Sequence, residues 1–194
     1  MMNLDEEAKK VNWNNGSEII DFYESHKLYF YNTDHITDKE TLYTILKIKY
    51  HYANSLFIKT YFDKVFPAID KARELLDKFP KESKKYDDLS QSFLFLEART
   101  LNNKKEYRKA QNILEKLLKI EPDNQSYRDW YLNNKLGLYD NYFNVFLSIA
   151  VIMILLDLAF SFSIDFGLIG IGLVAIVYFV HKGLQRRIKS KLSP

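Results

Sequence analysis

Apolar residues recur with a helical spacing through most of the chain and merge into almost uncharged runs near its end. Between Ser17 and Leu138, apolar side chains return every three or four positions and alternate with polar ones. This spacing is typical of amphipathic helices that bury one face. From Phe143 onwards the polar face is lost. The pattern therefore predicts a helical domain over residues 17–140 and a separate apolar segment over residues 141–184.

Start and stop signals divide the amphipathic part into six predicted helices, most of which begin at a capping residue or a proline. They run from Ser17 to Tyr31, from the capping box Thr37–Glu40 to about Thr60, from Pro67 to Pro80, from Lys84 to Leu101, from Asn103 to Pro122, and from Asp123 to Leu138. Residues 1–16 are polar and are expected to be flexible, without the pattern of a secretory signal.

Glycine and cysteine are informative because they are scarce. No glycine lies between Gly16 and Gly137, so this stretch lacks the residues that form tight β-turns. The chain has no cysteine, which excludes thiol catalysis, thiolate-bound metals and disulfides. The expected fold class is therefore all-α.

A 42-residue repeat links two of the predicted helices. Ala68 precedes Pro80 by twelve residues, and Ala110 precedes Pro122 by the same number. The leucines between them also correspond, Leu75–Leu76 with Leu117–Leu118. A small residue permits the close approach of an antiparallel partner helix, and the proline marks where the helix stops. The alternative is an ordinary helical bundle in which an Ala and a Pro merely recur.

The second copy resembles a tetratricopeptide repeat, with the family's twelve-residue step from Ala98 to Ala110. Its matching residues are Leu94, Ala98 and Leu101 in the first helix and Tyr107, Ala110, Leu114, Leu117 and Pro122 in the second. In the first copy Tyr50, Ala53, Ala68 and Pro80 match. Ala53 and Ala68 are fifteen residues apart, which predicts a longer turn there. The resemblance implies an antiparallel helical stack whose first and last helices cap its ends.

The resemblance also implies a concave groove, lined by the first helix of each repeat, that holds a partner helix or an extended peptide. The positions that would line it are Lys47, Tyr50, Asn54, Phe95, Arg99, Asn102, Asp129 and Asn133. The alternative is that these are ordinary solvated helix residues, because together they form no field of a single sign.

Two apolar runs at the end of the chain are long enough to cross a membrane. Phe143 to Phe162 spans twenty residues with Asp157 as its one charge, which gives about 30 Å of helix. A second uncharged run begins at Phe166. We expect a transmembrane hairpin of two helices. A hairpin buried in a soluble core is the alternative, which the lack of a polar face disfavours.

The charges predict the orientation of this hairpin. The first 140 residues are neutral, and the net charge of +3 arises entirely after them. The neutral domain argues against a nucleic-acid partner. The cations follow the second apolar run: Lys182, Arg186, Arg187, Lys189 and Lys191, the last four in a basic tail over residues 185–194. By the positive-inside rule both termini of this integral membrane protein are cytoplasmic. The same cations can set the topology, bind anionic lipid head groups, or do both.

Asp157 is unusual because an ionised carboxylate within a bilayer is costly. Either the hairpin tilts so that the carboxylate reaches the interface, or Asp157 makes a polar contact within a homo-oligomer or with another transmembrane helix. Gly167 and Gly170 would permit close helix packing at that end of the hairpin.

The chain contains none of the common catalytic or nucleotide-binding motifs, and its four histidines never pair at the spacing that presents two metal ligands on one helix. We therefore expect a protein that is not an enzyme, with no catalytic residue, cofactor or metal. The leading hypothesis is a membrane-anchored adaptor that binds a protein partner in the cytoplasm. The alternative is a small membrane effector whose hairpin oligomerises to form or perturb a pore under control of the helical domain.

Overall fold

A computed structural model describes residues 4–33, 36, 38–81, 83–160 and 166–192. Within these residues the regular structure is entirely α-helical, as expected, and comprises nine helices. They are α1 Leu4–Ala8, α2 Gly16–Ser25, α3 Lys27–Tyr31, α4 Lys39–Ile58, α5 Phe62–Leu76, α6 Lys84–Asn103, α7 Tyr107–Ile120, α8 Gln125–Phe160 and α9 Phe166–Leu192.

The chain divides into two compact units, Met1–Lys104 and Lys105–Pro194. The predicted boundary at residue 140 lies inside α8. This helix continues without a break through Gly137, so the expected last soluble helix and the first apolar run form one helix of 36 residues.

Short polar side chains cap several helices, within one or two residues of the predicted starts. Asn15 rather than Ser17 caps α2, because its side-chain oxygen accepts a hydrogen bond from the Ser17 N–H at 3.1 Å. Asp38 caps α4 by accepting from the Thr41 N–H at 2.8 Å. The predicted cap Thr37 lies outside the described residues. These caps satisfy backbone donors that the first turn of a helix leaves unpaired.

Other predicted helix starts differ from the observed ones, and the hydrogen bonds explain why. Asn103 is the last residue of α6 and donates to the Arg99 carbonyl at 2.9 Å, so it does not cap α7. Asn124 rather than Asp123 accepts from the Tyr127 N–H, at 3.3 Å, where α8 begins. In α5, Pro67 lies in the second turn and not at the start, so one helical hydrogen bond is lost there.

Helix α4 is the centre of the first unit and packs against α2, α5 and α6. The helices α4 and α6 run side by side in the same direction, since Lys85 pairs with Glu40 at 2.7 Å and the rings of Phe93 and Tyr50 meet edge-on at 5.7 Å. Helix α5 runs antiparallel to α6. Its first turn meets the end of α6 through Asp63 and Lys104, 2.7 Å apart.

The core of the first unit consists of large apolar side chains that are withdrawn from solvent almost completely. Its most deeply buried members are Phe30, Ile45, Leu46, Leu56, Val65, Ile69, Phe93 and Leu96, each at most 2% exposed. Burial of one such side chain stabilises the fold by roughly 1.5–3 kcal/mol before entropy is counted. The N-terminal segment, expected to be flexible, also packs here: the Trp13 ring lies 6.2 Å from that of Phe22.

The turns that follow α4 and α6 have the same backbone conformation, so the predicted longer turn in the first copy is wrong. Thr60 and Lys105 both have φ of 63°. The next residues, Tyr61 and Glu106, both have φ −83° and ψ 53°. These positions are 45 residues apart, whereas the prolines Pro80 and Pro122 are 42 residues apart.

Burial follows the same 45-residue register. The corresponding pairs Ala53 and Ala98, Val65 and Ala110, Ile69 and Leu114, and Ala72 and Leu117 are all at most 1% exposed. Val65, not Ala68, is therefore the counterpart of Ala110. The step from Ala53 to Val65 is twelve residues in the first copy, as it is from Ala98 to Ala110 in the second.

In the second unit, α8 packs against α7 and against α9. Gly137 makes the first contact possible, because a Cβ there would lie 2.3 Å from Cε1 of Tyr107. The buried Asn134 side chain donates to the Tyr107 carbonyl at 2.8 Å. Helix α9 runs antiparallel to α8, with Gly170 beside Ala150.

Candidate functional site

Six of the eight predicted partner-binding residues lie on the two parallel helices of the first unit, three on α4 and three on α6. We call this surface the α4–α6 face: Lys47, Tyr50, Asn54, Phe95, Arg99 and Asn102. Helical spacing of three, four and seven residues places each set along one side of its helix. The predicted alignment of these two sets is thus compatible with the packing of α4 against α6.

Arg99 is partly buried on this face by aromatic rings. Its guanidinium carbon lies 4.2 Å from the ring centre of Phe57 and 5.6 Å from that of Phe95, distances at which cation–π attraction operates. Burial lowers the pKa of Arg99, and Tyr50 opposes this effect. Burial likewise raises the pKa of Tyr50, and the charge of Arg99 opposes it. The two side chains are therefore close enough to sense each other's charge.

The rest of the face is more accessible. Lys47 is exposed, and its ammonium nitrogen lies 5.7 Å from the ring centre of Tyr43. Asn54 and Asn102 are half-buried amides. An exposed cation, aromatic edges and amides can bind a peptide through its carboxylates, apolar side chains and backbone.

Asp129 and Asn133, the remaining predicted groove residues, belong to α8 in the second unit. The Asp129 carboxylate accepts a hydrogen bond from the Gln125 side chain at 2.8 Å. Asn133 is exposed. Both residues are therefore surface positions of their own unit.

The outer surface of α8 and α9 is apolar where the sequence predicted membrane spans. Both helices are long and apolar enough to cross a bilayer, and only 6% of the most apolar stretch of each is buried. The exposed large side chains include Val145, Phe146, Ile149, Ile152, Leu155, Leu168, Ile171, Ile176 and Phe179. A helix in the core of a soluble protein would instead be mostly buried.

Small residues lie where these two helices touch. A Cβ added to Gly170 would lie 2.9 Å from Cγ1 of Ile154 and 3.1 Å from the Ala150 carbonyl oxygen. Gly170 therefore contacts α8 of the same chain. The side chain of Asp157 and the surroundings of Gly167 lie outside the described part of the structure.

The predicted cations are on α9. Lys182 donates to the Tyr178 hydroxyl at 3.3 Å, and Arg186 and Arg187 are exposed. The side chains of Lys189 and Lys191 lie outside the described part. Beside this basic segment, the His181 ring stacks on Phe143 with 4.3 Å between centroids.

A cavity of about 360 Å³ that the sequence did not predict lies among α2, α3, α4 and α5 in the first unit. Four tyrosines form its walls, and we call it the tyrosine–lysine cavity. These tyrosines are Tyr23, Tyr31, Tyr52 and Tyr61, and the lysines at its edge are Lys27, Lys64 and Lys71. Glu24 and Asp63 are its acidic residues.

Stacked rings give one wall of the cavity a fixed shape. Tyr23 lies between Phe30 and Tyr52, with centroid distances of 4.8 and 3.8 Å. The Tyr52 hydroxyl donates a short hydrogen bond to Glu24. Burial raises the pKa of both tyrosines, and the bond from Tyr52 lowers the pKa of Glu24. Glu24 is therefore ionised at neutral pH and both phenols are neutral.

A buried lysine supports this wall from behind. Lys49 is 4% exposed, and its ammonium group donates to the Phe30 carbonyl at 2.9 Å and to the Tyr23 hydroxyl at 3.4 Å. Burial lowers the pKa of Lys49 to about 8, and the charge of Lys71 contributes in the same direction. The sequence does hold a signal for it, since Lys49 lies midway between Ile45 and Ala53 on the buried side of α4.

The described residues contain no group of three or more His, Asp or Glu side chains that could hold a metal ion. Asp34 and His35 lie outside the described residues.

Comparison with known proteins finds no matching family model, no matching curated protein and no matching solved structure.

Proposed function

We propose that this protein is a membrane-anchored adaptor of the tetratricopeptide-like class, which binds a protein partner in the cytoplasm and holds it at the bilayer. The observation that carries the proposal is the outward-facing apolar surface of the packed helices α8 and α9. Such a surface is stable in lipid and aggregates in water. Anchoring is the simplest role for it in a chain that also contains an amphipathic helical unit.

Support for the tetratricopeptide-like class comes from the order and direction of helices in the first unit. Helices α4 and α6 are parallel neighbours and α5 is antiparallel to α6, as in two successive helix pairs of a repeat stack. The matching turns at Thr60 and Lys105 support a duplicated helix pair.

The partner surface is the α4–α6 face. It combines an exposed cation at Lys47 with half-buried Tyr50, Phe95 and Arg99. We propose that it binds an amphipathic helix or an extended peptide whose apolar side chains contact the rings and whose carboxylate approaches Lys47.

Affinity purification of the full chain in mild detergent tests the partner surface. Lys47→Glu should remove proteins that the unmodified chain retains, because it reverses the exposed charge. Lys39→Glu is the matched control, as Lys39 is also exposed on α4 but lies at its first turn. An unchanged set of retained proteins for Lys47→Glu would exclude this face. Arg99→Glu is a poorer choice, because Arg99 also packs against Phe57.

The orientation follows from the cations on α9. With Lys182, Arg186 and Arg187 at the cytoplasmic surface, both termini are cytoplasmic and the chain crosses the bilayer twice. Protease added outside sealed cells should leave the N-terminal unit intact. Digestion of that unit, or release of the chain by alkaline carbonate, would contradict the topology or the anchor.

A further inference from the structure

Charge is not balanced around the tyrosine–lysine cavity. Lys27 pairs with Glu24 at 2.9 Å, and Lys104 pairs with Asp63 at 2.7 Å, so both acidic residues of the cavity already have a cation beside them. Lys64 and Lys71 lie against aromatic rings, and the charge of Lys64 also lowers the pKa of Glu24. The Lys71 nitrogen lies 3.4 Å from the ring centre of Tyr31, and the Lys64 nitrogen lies 5.5 Å from that of Tyr61.

The excess positive charge extends behind the cavity wall. Lys49 is buried next to Tyr23, and the charge of Lys71 acts on it. Lys49, Lys64 and Lys71 therefore bring positive charge to this region, and Glu74 is the acidic residue that acts on Lys49. An anion held at Lys64 and Lys71 would reduce the repulsion between Lys71 and Lys49, and it would form charge-assisted hydrogen bonds.

The shape and the walls favour an anion attached to a planar ring. The volume of about 360 Å³ lies in the range of small-molecule sites and exceeds the volume of a phosphate ion. Tyr31 and Tyr61 are 42% and 51% exposed, so both side chains keep accessible surface in addition to their contacts with Lys71 and Lys64. Aromatic faces of this kind bind nucleobases by stacking.

We propose that the tyrosine–lysine cavity binds a mononucleotide, with its phosphate at Lys64 and Lys71 and its base against the rings of Tyr31 and Tyr61.

This site is separate from the proposed partner surface. Tyr52 and Leu56 face the cavity from α4, whereas Tyr50 and Asn54 belong to the α4–α6 face of the same helix. Residues 50 and 52 point about 200° apart on a helix, so the two sites use different sides of α4. Binding of a nucleotide can therefore be measured without knowledge of the protein partner.

Isothermal titration of the full chain in a neutral detergent tests the proposal with three probes: AMP, adenosine and inorganic phosphate. AMP should bind at least about tenfold more tightly than either fragment, because only AMP satisfies both the lysines and the rings. No binding of AMP at millimolar concentration would overturn the proposal. Phosphate binding as tight as that of AMP would also overturn it, since the site would then be a simple anion site.

Lysine substitutions test whether AMP binds in the tyrosine–lysine cavity. Lys71→Gln should weaken AMP binding by about tenfold through loss of a charge-assisted contact, while Lys84→Gln, on the exposed start of α6, should leave it unchanged. Unchanged affinity in folded Lys71→Gln would overturn the location. If Lys71→Gln loses its helical circular dichroism, Lys64→Gln provides the same comparison at an exposed residue.

Discussion

The first unit buries its large apolar side chains, whereas the paired helices α8 and α9 of the second turn theirs outward. Ile45, Leu46 and Leu96 are 0% exposed, but Ile152 and Leu155 are 55% and 58% exposed. The contacts between helices differ in the same way. Large and aromatic residues fill the spaces around α4, while Ala150 and Gly170 meet between α8 and α9.

This difference is the one expected if water surrounds the first unit and lipid surrounds the paired helices, as the proposed anchor requires. In water, the gain from removing apolar surface drives large side chains inside. In lipid that gain is absent between helices, so small residues that allow close backbone approach hold them together.

The largest expected effect tests how strongly the buried core stabilises the first unit. Leu96→Ala should lower the free energy of unfolding of that unit by about 2–5 kcal/mol, because it leaves a cavity in the core. Leu155→Ala, the same change on an outward surface, should alter it by less than about 0.5 kcal/mol. Urea denaturation followed by Trp13 fluorescence, in a Trp130→Phe background, measures both. Equal losses for the two variants would contradict the contrast.

The next effect concerns the glycine contact in the second unit. Gly170→Leu should destabilise the packing of α8 on α9 by about 1–3 kcal/mol, because the new side chain meets Ile154 and the Ala150 carbonyl. Gly172→Leu is the matched control, since nothing lies within 4 Å of its added Cβ. Cysteines introduced at positions 143 and 181 of this cysteine-free chain, joined by a short bismaleimide, report the packing. Equal cross-linking in both variants would show that Gly170 is not needed.

A smaller effect depends on pH and belongs to the first unit. The unfolded chain keeps Lys49 protonated up to its ordinary pKa near 10.5, but the folded chain releases the proton near pH 8. The unfolded state therefore binds more protons in this window, and stability should rise between pH 7.5 and 9.5 by about 1.5 kcal/mol.

Lys49→Met removes this titration and should abolish the rise. Above about pH 10 the trend should reverse, because buried Tyr23 and Tyr52 retain protons that the unfolded chain loses. Urea denaturation at a series of pH values tests the sign. If the free energy of unfolding depends on pH in the same way in Lys49→Met as in the unmodified chain, groups other than Lys49 cause the effect.

The smallest expected effect compares the two matching turns. Thr60 is β-branched and holds φ of 63°, which is strained, so Thr60→Gly should stabilise its turn by about 1 kcal/mol. Lys105→Gly should stabilise its turn by a smaller amount, because an unbranched side chain is strained less than a β-branched one at the same φ. Thermal denaturation of both variants shows which substitution stabilises the protein more. A larger gain for Lys105→Gly would argue that the two turns are not equivalent.

Much of the helical architecture is predictable because its signals are local. Capping residues, helical spacing and the loss of polar positions after Phe143 all act within a few turns, and they identify most helices to within a few residues. Pro67 misleads because proline is tolerated in the second turn of α5 at the cost of one hydrogen bond. This shift also hides the 45-residue register, since Ala68 resembles Ala110 while Val65 occupies the equivalent place.

The tyrosine–lysine cavity could not be predicted in this way, because its residues are distant in sequence. Tyr23, Tyr52 and Lys71 come from three helices, and only the packing of α2, α4 and α5 brings them together. The residues of the α4–α6 face lie close together in sequence on each helix, and the 45-residue register relates Tyr50 and Asn54 on α4 to Phe95 and Arg99 on α6. Their role in binding a partner stays a prediction. Residues that share one helix face can thus be predicted from the sequence, whereas a cavity that forms only when distant helices pack together requires the structure.

Because α8 is continuous, the angle around its axis between two of its helix contacts is fixed. Gly137 touches α7 and Ala150 touches α9, so thirteen residues of one helix separate the two contacts by roughly 20 Å and about 220° around its axis. An inserted residue between them would rotate one contact by about 100° against the other. A change of seven residues would nearly restore the angle, to within about 20°. The length of α8 between these contacts is therefore expected to vary mainly by whole heptads. A flexible linker differs, because a change in its length does not fix a rotation between the elements that it joins.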